Sequence, residues 1–523
     1  MERTGRHAFL VAAGILLTRI LGLVRQRIFS KYFGLFDAAD VFGQALRIPN
    51  FLQNLFGEGV LSASFIPVYA HLLAEGDEKE AGRVAGAIGA ILALVTSGLV
   101  LVGVLATPWL IFAIAPGFHG AKRELTIRLV RILFPGVGML VLSAWCLGIL
   151  NSHRKFFLSY SAGVMWNVAM ILTLVAFRRL VPNQLAIVLA WGSVAGSALQ
   201  FGVQLPAVLS LARGLRLRLD TAAPHVRQVL RSFGPVFVSR GVVQISAYVD
   251  SLLASLLGQG AVAGLMNAQT LYLLPVSLFG MSVSAAELPA MSSTLGDRQQ
   301  VAAVLRERLN AALRRIAFFI VPSAMAFLAL GDVITAALFE TGRFTHADTL
   351  YVWAILAGSA VGLLASTLGR LYSSTYYALR DTRTPLRYAV IRVALTGALG
   401  YLAAIWLPRW IGIAPRWGVA GLTASAGVAG WVEFLFLRST LNARIGPTGL
   451  PAALTARLWI SAAAGAAAAW GVKLAIGSPK PITAAIAILA PYGLLYFAAA
   501  YLLRVEECAD VLRRVLRLSP SNP

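Results

Sequence analysis

The stretch TRILGLVRQRIFSKYFG occupies residues 18 to 34, and DAADVFGQALRIPNFLQNLFGEGVLSASFIP follows at residues 37 to 67. Both stretches belong to long apolar runs that are typical of membrane-spanning helices. Four charged residues nevertheless lie inside the predicted spans, and these are Arg19, Arg25, Asp40 and Arg47. A charge at mid-membrane costs about 3 kcal/mol on insertion scales and is normally kept where it lines a polar cavity or a pathway. The pattern therefore predicts a cationic binding site within a membrane domain.

The composition is that of an integral membrane protein. Of the 523 residues, 58% are hydrophobic and 13% are charged, whereas soluble domains carry about 25% charged residues. The net charge of +23 arises mostly in short loops between apolar runs, as membrane topology requires, so we do not expect nucleic-acid binding. The two cysteines and six scattered histidines form no disulfide framework or metal-ligand pattern.

Apolar runs long enough to cross the membrane recur along the whole chain. A span of the hydrocarbon layer needs about 20 helical residues, and we place fourteen such segments near residues 8–33, 38–73, 84–115, 125–150, 157–177, 185–212, 226–257, 261–293, 301–330, 348–379, 386–407, 417–441, 456–475 and 482–505. One set of alternate loops carries more than twice as many lysines and arginines as the other, which predicts that both termini are cytoplasmic. The expected fold is an all-α polytopic membrane protein.

The longest basic connection, at residues 213–231, separates the sixth predicted span from the seventh. We predict three parts. Residues 1–220 contain spans one to six, and residues 221–441 contain spans seven to twelve. Residues 442–523 contain two further helices and a cytoplasmic tail. The Thr-Arg pair ending at Arg19 in span one is echoed by the Ser-Arg pair ending at Arg240 in span seven. Internal repeats that face each other across a central site are a common transporter plan.

The second span combines polar residues with helix breakers. Asp40 and Arg47 lie seven residues apart on one helix face, with Gln44 beside them. The span is interrupted at three predicted places, which are Pro49, the triplet GEG at residues 57–59, and Pro67. Broken helices at membrane depth are tolerated where they line a cavity. We therefore expect a polar or gating surface formed by Asp40, Gln44, Gln53 and Glu58.

Simpler structural roles compete with this site. The side chain of Arg25 would reach the membrane interface by extending along the helix, and Arg19 would do so less readily. Asp40 and Arg47 would form an ion pair that serves packing alone. Asp250, in the seventh span, would neutralise a basic neighbour or coordinate a coupling cation.

Signatures of catalysis are missing from the sequence. It contains no phosphate-binding P-loop, no glycine-rich dinucleotide loop after a strand, and no paired Cys or His ligands. We therefore expect a transporter rather than an enzyme, with no cofactor. Its energy would come from the membrane potential or a monovalent cation gradient.

Several motifs resemble the MurJ (MviN) family of lipid II flippases, within the multidrug/oligosaccharidyl-lipid/polysaccharide exporter superfamily. The strongest are TRILGLVRQ at residues 18–26 and AADVFGQALRIPNFLQNLFGEGVLSASFIPVYA at residues 38–70. Shorter matches are GILNSHRKF at 148–156, QLP at 204–206, FGP at 233–235, LFETGRF at 338–344 and YALRDTRTP at 377–385. They extend from the first span to the eleventh and fit the fourteen helices of that family.

The resemblance implies two six-helix lobes that form a V around a cationic central cavity, with two further helices that form a groove for a lipid tail. It implies a bacterial inner-membrane protein of peptidoglycan biosynthesis. The cargo would be undecaprenyl-pyrophosphate carrying a disaccharide-pentapeptide, moved from the cytoplasmic to the outer leaflet by alternating access. Arginine suits a pyrophosphate because its guanidinium forms bidentate, charge-assisted hydrogen bonds. Membrane lipids and the cell-wall synthesis machinery are the other implied partners.

The resemblance also assigns individual residues. Arg19 and Arg25 match the two arginines of the family's first helix, and Asp40 matches its second-helix acid. Arg47 matches a basic position just before a Pro-Asn pair. The sequence departs from the family pattern at several positions, which are Gln26 in place of an acid, Gln53 in place of an arginine, Gln269 and Thr270 in place of an Asn/Asp-Arg pair, and Ser159 and Gly163 in place of prolines.

Two arginines of the usual cavity set are therefore missing. One hypothesis is that Arg240 compensates and joins Arg19, Arg25 and Arg47 in binding the pyrophosphate. The other is that this member moves a different polyprenyl-linked saccharide. A cation-coupled multidrug exporter of the same superfamily and a non-transporting membrane scaffold remain as alternatives from other functional classes.

Overall fold

A computed structural model describes the backbone of residues 2–56, 58–292, 298–477 and 480–517. Within the helices it leaves out the side chains of residues 2–13, 15, 49, 58–59, 62–63, 234–247, 285, 289–290, 292, 298 and 514–517. In the described backbone the ordered structure is helical, and the single β-bridge joins Thr341 to Phe344. The predicted all-α class is confirmed.

The helices of the first half are α1 Glu2–Phe33, α2 Asp37–Phe56, α3 Glu58–Ala74, α4 Glu78–Ile114, α5 Gly120–Ser152, α6 Phe156–Ser161, α7 Gly163–Ala176, α8 Pro182–Leu211 and α9 Pro224–Ser255. Those of the second half are α10 Ala261–Pro275, α11 Ser282–Ser292, α12 Arg298–Ala329, α13 Gly331–Phe339, α14 His346–Ala360, α15 Leu363–Ala378, α16 Arg383–Tyr401, α17 Leu407–Trp410, α18 Gly418–Ile445, α19 Ala452–Ile476, α20 Pro481–Leu502 and α21 Glu506–Arg517. Wider π-helical turns join α10 to α11 and α16 to α17.

The helices identify a multi-pass membrane protein. Among the described residues, ten helical spans are long and apolar enough to cross a membrane, and the pair α14 and α15, bent by 43°, makes an eleventh. Each of the fourteen predicted segments is largely helical. The membrane character is therefore confirmed, while the number of fourteen spans stays a prediction.

Two of the three expected interruptions in the second predicted span are wrong. The backbone remains helical through Pro49 in α2 and through Pro67 in α3. A proline removes one helical hydrogen bond and tends to kink a helix, but neither α2 nor α3 ends at its proline. Between these helices only Gly57 lies outside the described residues, with α2 ending at Phe56 and α3 beginning at Glu58.

The first compact unit contains Met1–Ala263 and Thr341–Phe344. A hydrophobic core in this unit is formed by α2, α3, α4, α5, α8 and α9. The indole of Trp145 on α5 lies against Gly89 of α4 and donates a hydrogen bond to the carbonyl of Ala85 at 3.1 Å. Helices in a membrane associate through van der Waals packing and interhelical hydrogen bonds, so this contact holds α4 against α5.

The division of the chain differs from the predicted boundary at residue 220. Val226 and Val229 of α9 are buried in the core of the first unit, together with residues of α3 and α4. By packing, α9 therefore belongs to the first unit, and the units divide between Ala263 and Gly264. The three-part division into two six-helix lobes and a C-terminal pair stays a prediction.

The second unit contains Gly264–Glu340 and Thr345–Pro523. Here α18 packs closely on α14 and α15, and the hydroxyl of Thr423 donates to the carbonyl of Ile355 at 2.9 Å. The last long helix, α20, is bound to α12 by two tyrosines. Tyr492 and Tyr496 donate hydrogen bonds of 2.6 Å to backbone carbonyls of α12. The C-terminal helices are thus integrated into the core of the second unit.

Candidate functional site

A stripe of small residues on α1, formed by Gly14, Thr18 and Gly22, positions this helix on α6 and α7. The hydroxyl of Thr18 donates to the carbonyl of Tyr160 at 3.1 Å, and a Cβ atom on Gly14 would lie 3.0 Å from the Cβ of Tyr160. Gly22 continues the stripe toward Asn167 of α7. Small residues at this four-residue spacing let neighbouring helices approach closely.

The two arginines of α1 have different surroundings. Arg25 is half-buried, and its guanidinium carbon lies 4.6 Å from the centre of the Trp166 ring on α7. Arg19 is exposed. Six residues turn an α-helix by about 240° at 100° per residue, so the two side chains leave α1 in different directions. Arg25 therefore packs on an aromatic face, an arrangement that keeps a cation ordered in a poorly solvated position.

Asp40 lies at the centre of a saturated polar contact. Its side chain has no exposed surface, and one carboxylate oxygen lies 2.8 Å from the ammonium of Lys122. The backbone N–H groups of Gly260 and Ala263 donate to the two oxygens, each at 2.8 Å. Lys122 also contacts Asp37 at 2.7 Å. A carboxylate with these partners is a structural anchor that joins α2, α5 and the beginning of α10.

This geometry corrects the expected pairing of Asp40 with Arg47. The ion-pair partner of Asp40 is Lys122, which the sequence places 82 residues away at the beginning of α5. The carboxylate is fully enclosed in the first unit, and a role of Asp40 in a polar cavity stays a prediction. Burying a charge is tolerated only with such pairing and hydrogen bonding.

Gln44 extends the same polar contact one helical turn further along α2. Its side chain is fully buried; the amide oxygen accepts a hydrogen bond from Ser251 of α9 at 2.5 Å. The amide nitrogen donates to the carbonyl of Ile114 at the end of α4, at 3.1 Å. Gln44 therefore links three helices, and buried hydrogen-bonded amides of this kind specify a unique packing.

Arg47 faces α9. The hydroxyl of Tyr248 donates to the backbone carbonyl of Arg47, and the ring of Tyr248 packs edge-on against Phe51 at 5.3 Å. Asp250, on the same helix as Tyr248, acts electrostatically on the half-buried guanidinium of Arg47. This is the arrangement expected of an acid that neutralises a basic neighbour.

Three further predicted residues complete the set. Gln53 is half-buried on α2. Glu58 begins α3 and Arg240 lies in the middle of α9, but the side chains of both are outside the described residues. Among the described side chains, the packing of α2 on α9 therefore brings Arg47 and Asp250 together. Arg25 contacts α7 instead, and Arg19 is exposed.

Sequence reasoning missed the partners of these residues. Lys122 lies in the connection between the third and fourth predicted spans, and Trp166, Tyr248 and Ser251 carry no signal of their own. Each partner lies on another helix, far away in the sequence. The periodicity of a single segment contains no information on such long-range contacts.

The family model described as "Lipid II flippase MurJ" matches residues 29–479. The lipid II flippase MurJ of Burkholderia cenocepacia is 31% identical over 450 residues, which are 84% of each chain. The probable lipid II flippase MurJ of Bdellovibrio bacteriovorus is 32% identical over 449 residues, covering 84% of this chain and 82% of that one.

Solved structures agree at the level of the fold. A lipid II flippase MurJ in an inward closed conformation superposes with a TM-score of 0.77 at 24% identity, covering 94% of this chain and 98% of that chain. An inward-facing multidrug MATE transporter superposes with a TM-score of 0.64 at 18% identity, covering 83% and 98%. Since the family model covers most of the sequence and relatives above 30% identity align over more than four-fifths of it, the chain belongs to the MurJ family of lipid II flippases.

Proposed function

We propose that this chain is a lipid II flippase, a transporter that moves the undecaprenyl-pyrophosphate-linked peptidoglycan precursor from the cytoplasmic to the outer leaflet. The observation that carries the proposal is the placement of Arg25 on α1 and Arg47 on α2 in a chain that belongs to the MurJ family. Intramembrane cations are costly and mark binding sites or pathways. Two guanidinium groups match the charge and the bidentate geometry of a pyrophosphate.

The environment of each arginine supports a binding role. Arg25 is kept ordered by the ring of Trp166, and the charge of Arg47 is moderated by Asp250. A bound pyrophosphate would compete with Asp250 for Arg47, which supplies a means of release as well as capture. Arg19 is exposed and would meet the head group before the other two.

A cation-coupled drug exporter is a weaker alternative. Such a protein needs an acid with free ligand positions, yet the carboxylate of Asp40 is occupied by Lys122 and two backbone N–H groups. Asp250 already acts on Arg47. In the described part of the chain, no group of three His, Cys, Asp or Glu residues is arranged to hold a metal ion.

The setting of the proposed transport is the bacterial inner membrane, with both termini in the cytoplasm. The excess of basic residues in one set of loops supports this orientation. Without a nucleotide-binding motif, the energy would come from the membrane potential or a monovalent cation. Lipid II is the proposed cargo, and the enzymes of cell-wall synthesis are proposed as functional partners on the outer face.

Complementation of a strain depleted of its own lipid II flippase tests the proposal. The wild-type chain should restore growth, and Arg25→Ala should abolish rescue because the pyrophosphate loses a charge-assisted contact. Arg25→Lys should rescue only partly, since an ammonium keeps the charge but loses the planar fork. Growth is scored at equal membrane abundance of each variant.

Arg178→Ala is the matched control, because Arg178 is an exposed loop arginine and its removal changes the net charge equally. It should rescue like the wild type. Full rescue by Arg25→Ala would refute the proposed role of this arginine, and failure of the well-expressed wild type would refute lipid II as the cargo. Arg240→Ala tests the compensation hypothesis in the same assay, since continued growth would show that Arg240 is dispensable.

A further inference from the structure

A basic pocket lies at the beginning of α4 in the first unit, away from the residues discussed above. It is formed where the connection between α8 and α9 runs across α4, and it encloses about 830 Å³. Its charged lining residues are five cations and three acids, namely Lys79, Arg83, Arg213, Arg216 and Arg218 with Asp77, Glu78 and Asp220. We call this concavity the α4 basic pocket.

The connection is held in place by a glycine face on α4. A Cβ atom on Gly82 would approach the carbonyl oxygen of Arg213 to 2.1 Å, and one on Gly86 would approach that of Arg216 to 2.1 Å. These glycines therefore allow an extended backbone to lie directly on the helix. The Cδ2 atom of Leu217 then lies 3.4 Å from the position of a Cβ on Gly89. The pocket wall is thus built by packing rather than by a loose loop.

The charges of the pocket are only partly neutralised. Arg83 pairs with Asp220 at 2.5 Å, and Arg213 pairs with Glu78 at 3.4 Å. Among the described residues, no carboxylate lies within ion-pair distance of the side chains of Lys79, Arg216 or Arg218. All three side chains are exposed. The pocket therefore offers three cations to an external anion.

Apolar side chains adjoin these cations. Leu217 and Leu219 alternate with Arg216 and Arg218 along the extended segment, and the two leucines are 66% and 62% exposed. Helix α4 itself carries a stripe of exposed leucines. It starts at Leu94, which is 60% exposed, and continues at Leu101 and Leu105. An aqueous anion would leave this apolar surface uncovered, whereas a lipid would cover it.

From this combination we infer that the α4 basic pocket binds the phosphate of an anionic phospholipid of the inner leaflet, with the acyl chains along the exposed stripe of α4. Guanidinium and ammonium groups bind the phosphate through charge-assisted hydrogen bonds, and basic clusters beside a membrane span attract anionic lipids. The pocket contains none of the arginines proposed to bind cargo, and only the choice of leaflet rests on the proposed orientation of the chain. The expected ligand is a structural or regulatory lipid rather than cargo.

A titration of purified full-length protein with phosphatidylglycerol tests this site. In detergent solution, rising phosphatidylglycerol should raise the thermal unfolding midpoint, because a ligand that binds only the folded state stabilises it. The double variant Arg216→Gln with Arg218→Gln should require about tenfold more lipid for the same rise, since it loses two charge-assisted contacts. Its midpoint without lipid should equal that of the wild type, because both side chains are exposed.

The matched control is Arg227→Gln with Arg231→Gln, which removes two exposed arginines of α9 that do not line the pocket. This variant should respond like the wild type. An equal loss of the phosphatidylglycerol response in both double variants, or no loss of that response in the pocket variant, would overturn the site. An equal response to phosphatidylcholine would overturn the requirement for an anionic head group. An equal response to glycerol 3-phosphate would identify a soluble phosphate ligand and overturn the lipid as occupant.

Discussion

The Asp40 carboxylate is predicted to be a main stabilising group of the first unit. Replacing it with alanine would leave Lys122 with Asp37 alone and would leave the N–H groups of Gly260 and Ala263 without their acceptor. Breaking a buried ion pair by removing one partner typically costs about 3–5 kcal/mol. Asp40→Ala should therefore lower the free energy of unfolding by that amount, measured by denaturant titration in mixed micelles.

Asp37→Asn is the control for this prediction. Asp37 contacts the same ammonium of Lys122 at 2.7 Å, but 56% of its side chain is exposed. Exposed ion pairs contribute about 0 to 1 kcal/mol, so this variant should change stability only slightly. If Asp40→Ala is as mild as Asp37→Asn, the buried carboxylate is not the anchor inferred from its contacts.

The sequence predicted the special residues of α1 and α2 but not their roles. Arg25, Asp40, Gln44 and Arg47 stood out because polar groups are rare on apolar helices. Their partners could not be predicted, since a hydrophobic pattern shows which face of a helix is buried without showing what lies opposite. For this reason the sequence did not indicate that Asp40 is enclosed together with Lys122.

At the scale of elements, three helices end in the same type of turn. Arg154, Arg380 and Arg504 have φ values of 59°, 59° and 54°, a left-handed conformation that usually takes glycine. In each case the next residue donates its N–H to a carbonyl five positions earlier; these bonds join Lys155 to Leu150, Asp381 to Tyr376, and Val505 to Ala500, at 2.8 to 3.0 Å. The bonds close the helix ends, and the arginines remain exposed.

The second of these turns is reinforced by an ion pair. Asp381 accepts hydrogen bonds from the backbone and hydroxyl of Thr384 and pairs with Arg444 at 2.7 Å. Although desolvation acts in the opposite direction, the bonds from Thr384 and Arg444 lower the pKa of Asp381 to about 2. The carboxylate therefore remains ionised, and this turn remains closed, at any physiological pH.

The turn at Arg504 allows a direct test of backbone strain. Arg504→Gly should raise the free energy of unfolding by about 0.5 to 1 kcal/mol, which is the strain relieved less the entropy that glycine adds to the unfolded chain. Arg504→Ala keeps a Cβ atom and should bring no such gain. Denaturant titration of the two variants separates the outcomes, and a loss of stability with glycine would show that the guanidinium itself supports the turn.

At the scale of the whole molecule, the composition predicted the helical membrane fold, whereas the number of fourteen spans stays a prediction. Apolar runs placed helices at all fourteen predicted positions, because helix is the fold that satisfies the backbone within a membrane. Only ten or eleven described spans pass a test of length and hydropathy. The helices α1 and α2 are absent from those described spans, and each carries several charged residues that lower its mean hydropathy.

The predicted orientation can be tested across the single helix α8. In a background of Cys146→Ala and Cys508→Ala, which removes two buried thiols, Asn183→Cys and Thr221→Cys place one thiol near each end of the helix at exposed positions. The distribution of basic residues puts residue 183 outside and residue 221 in the cytoplasm. In intact spheroplasts, a membrane-impermeant maleimide should label Asn183→Cys but should label Thr221→Cys only after lysis. The reverse pattern would refute cytoplasmic termini, and labelling of both thiols before lysis would show that α8 does not span the membrane.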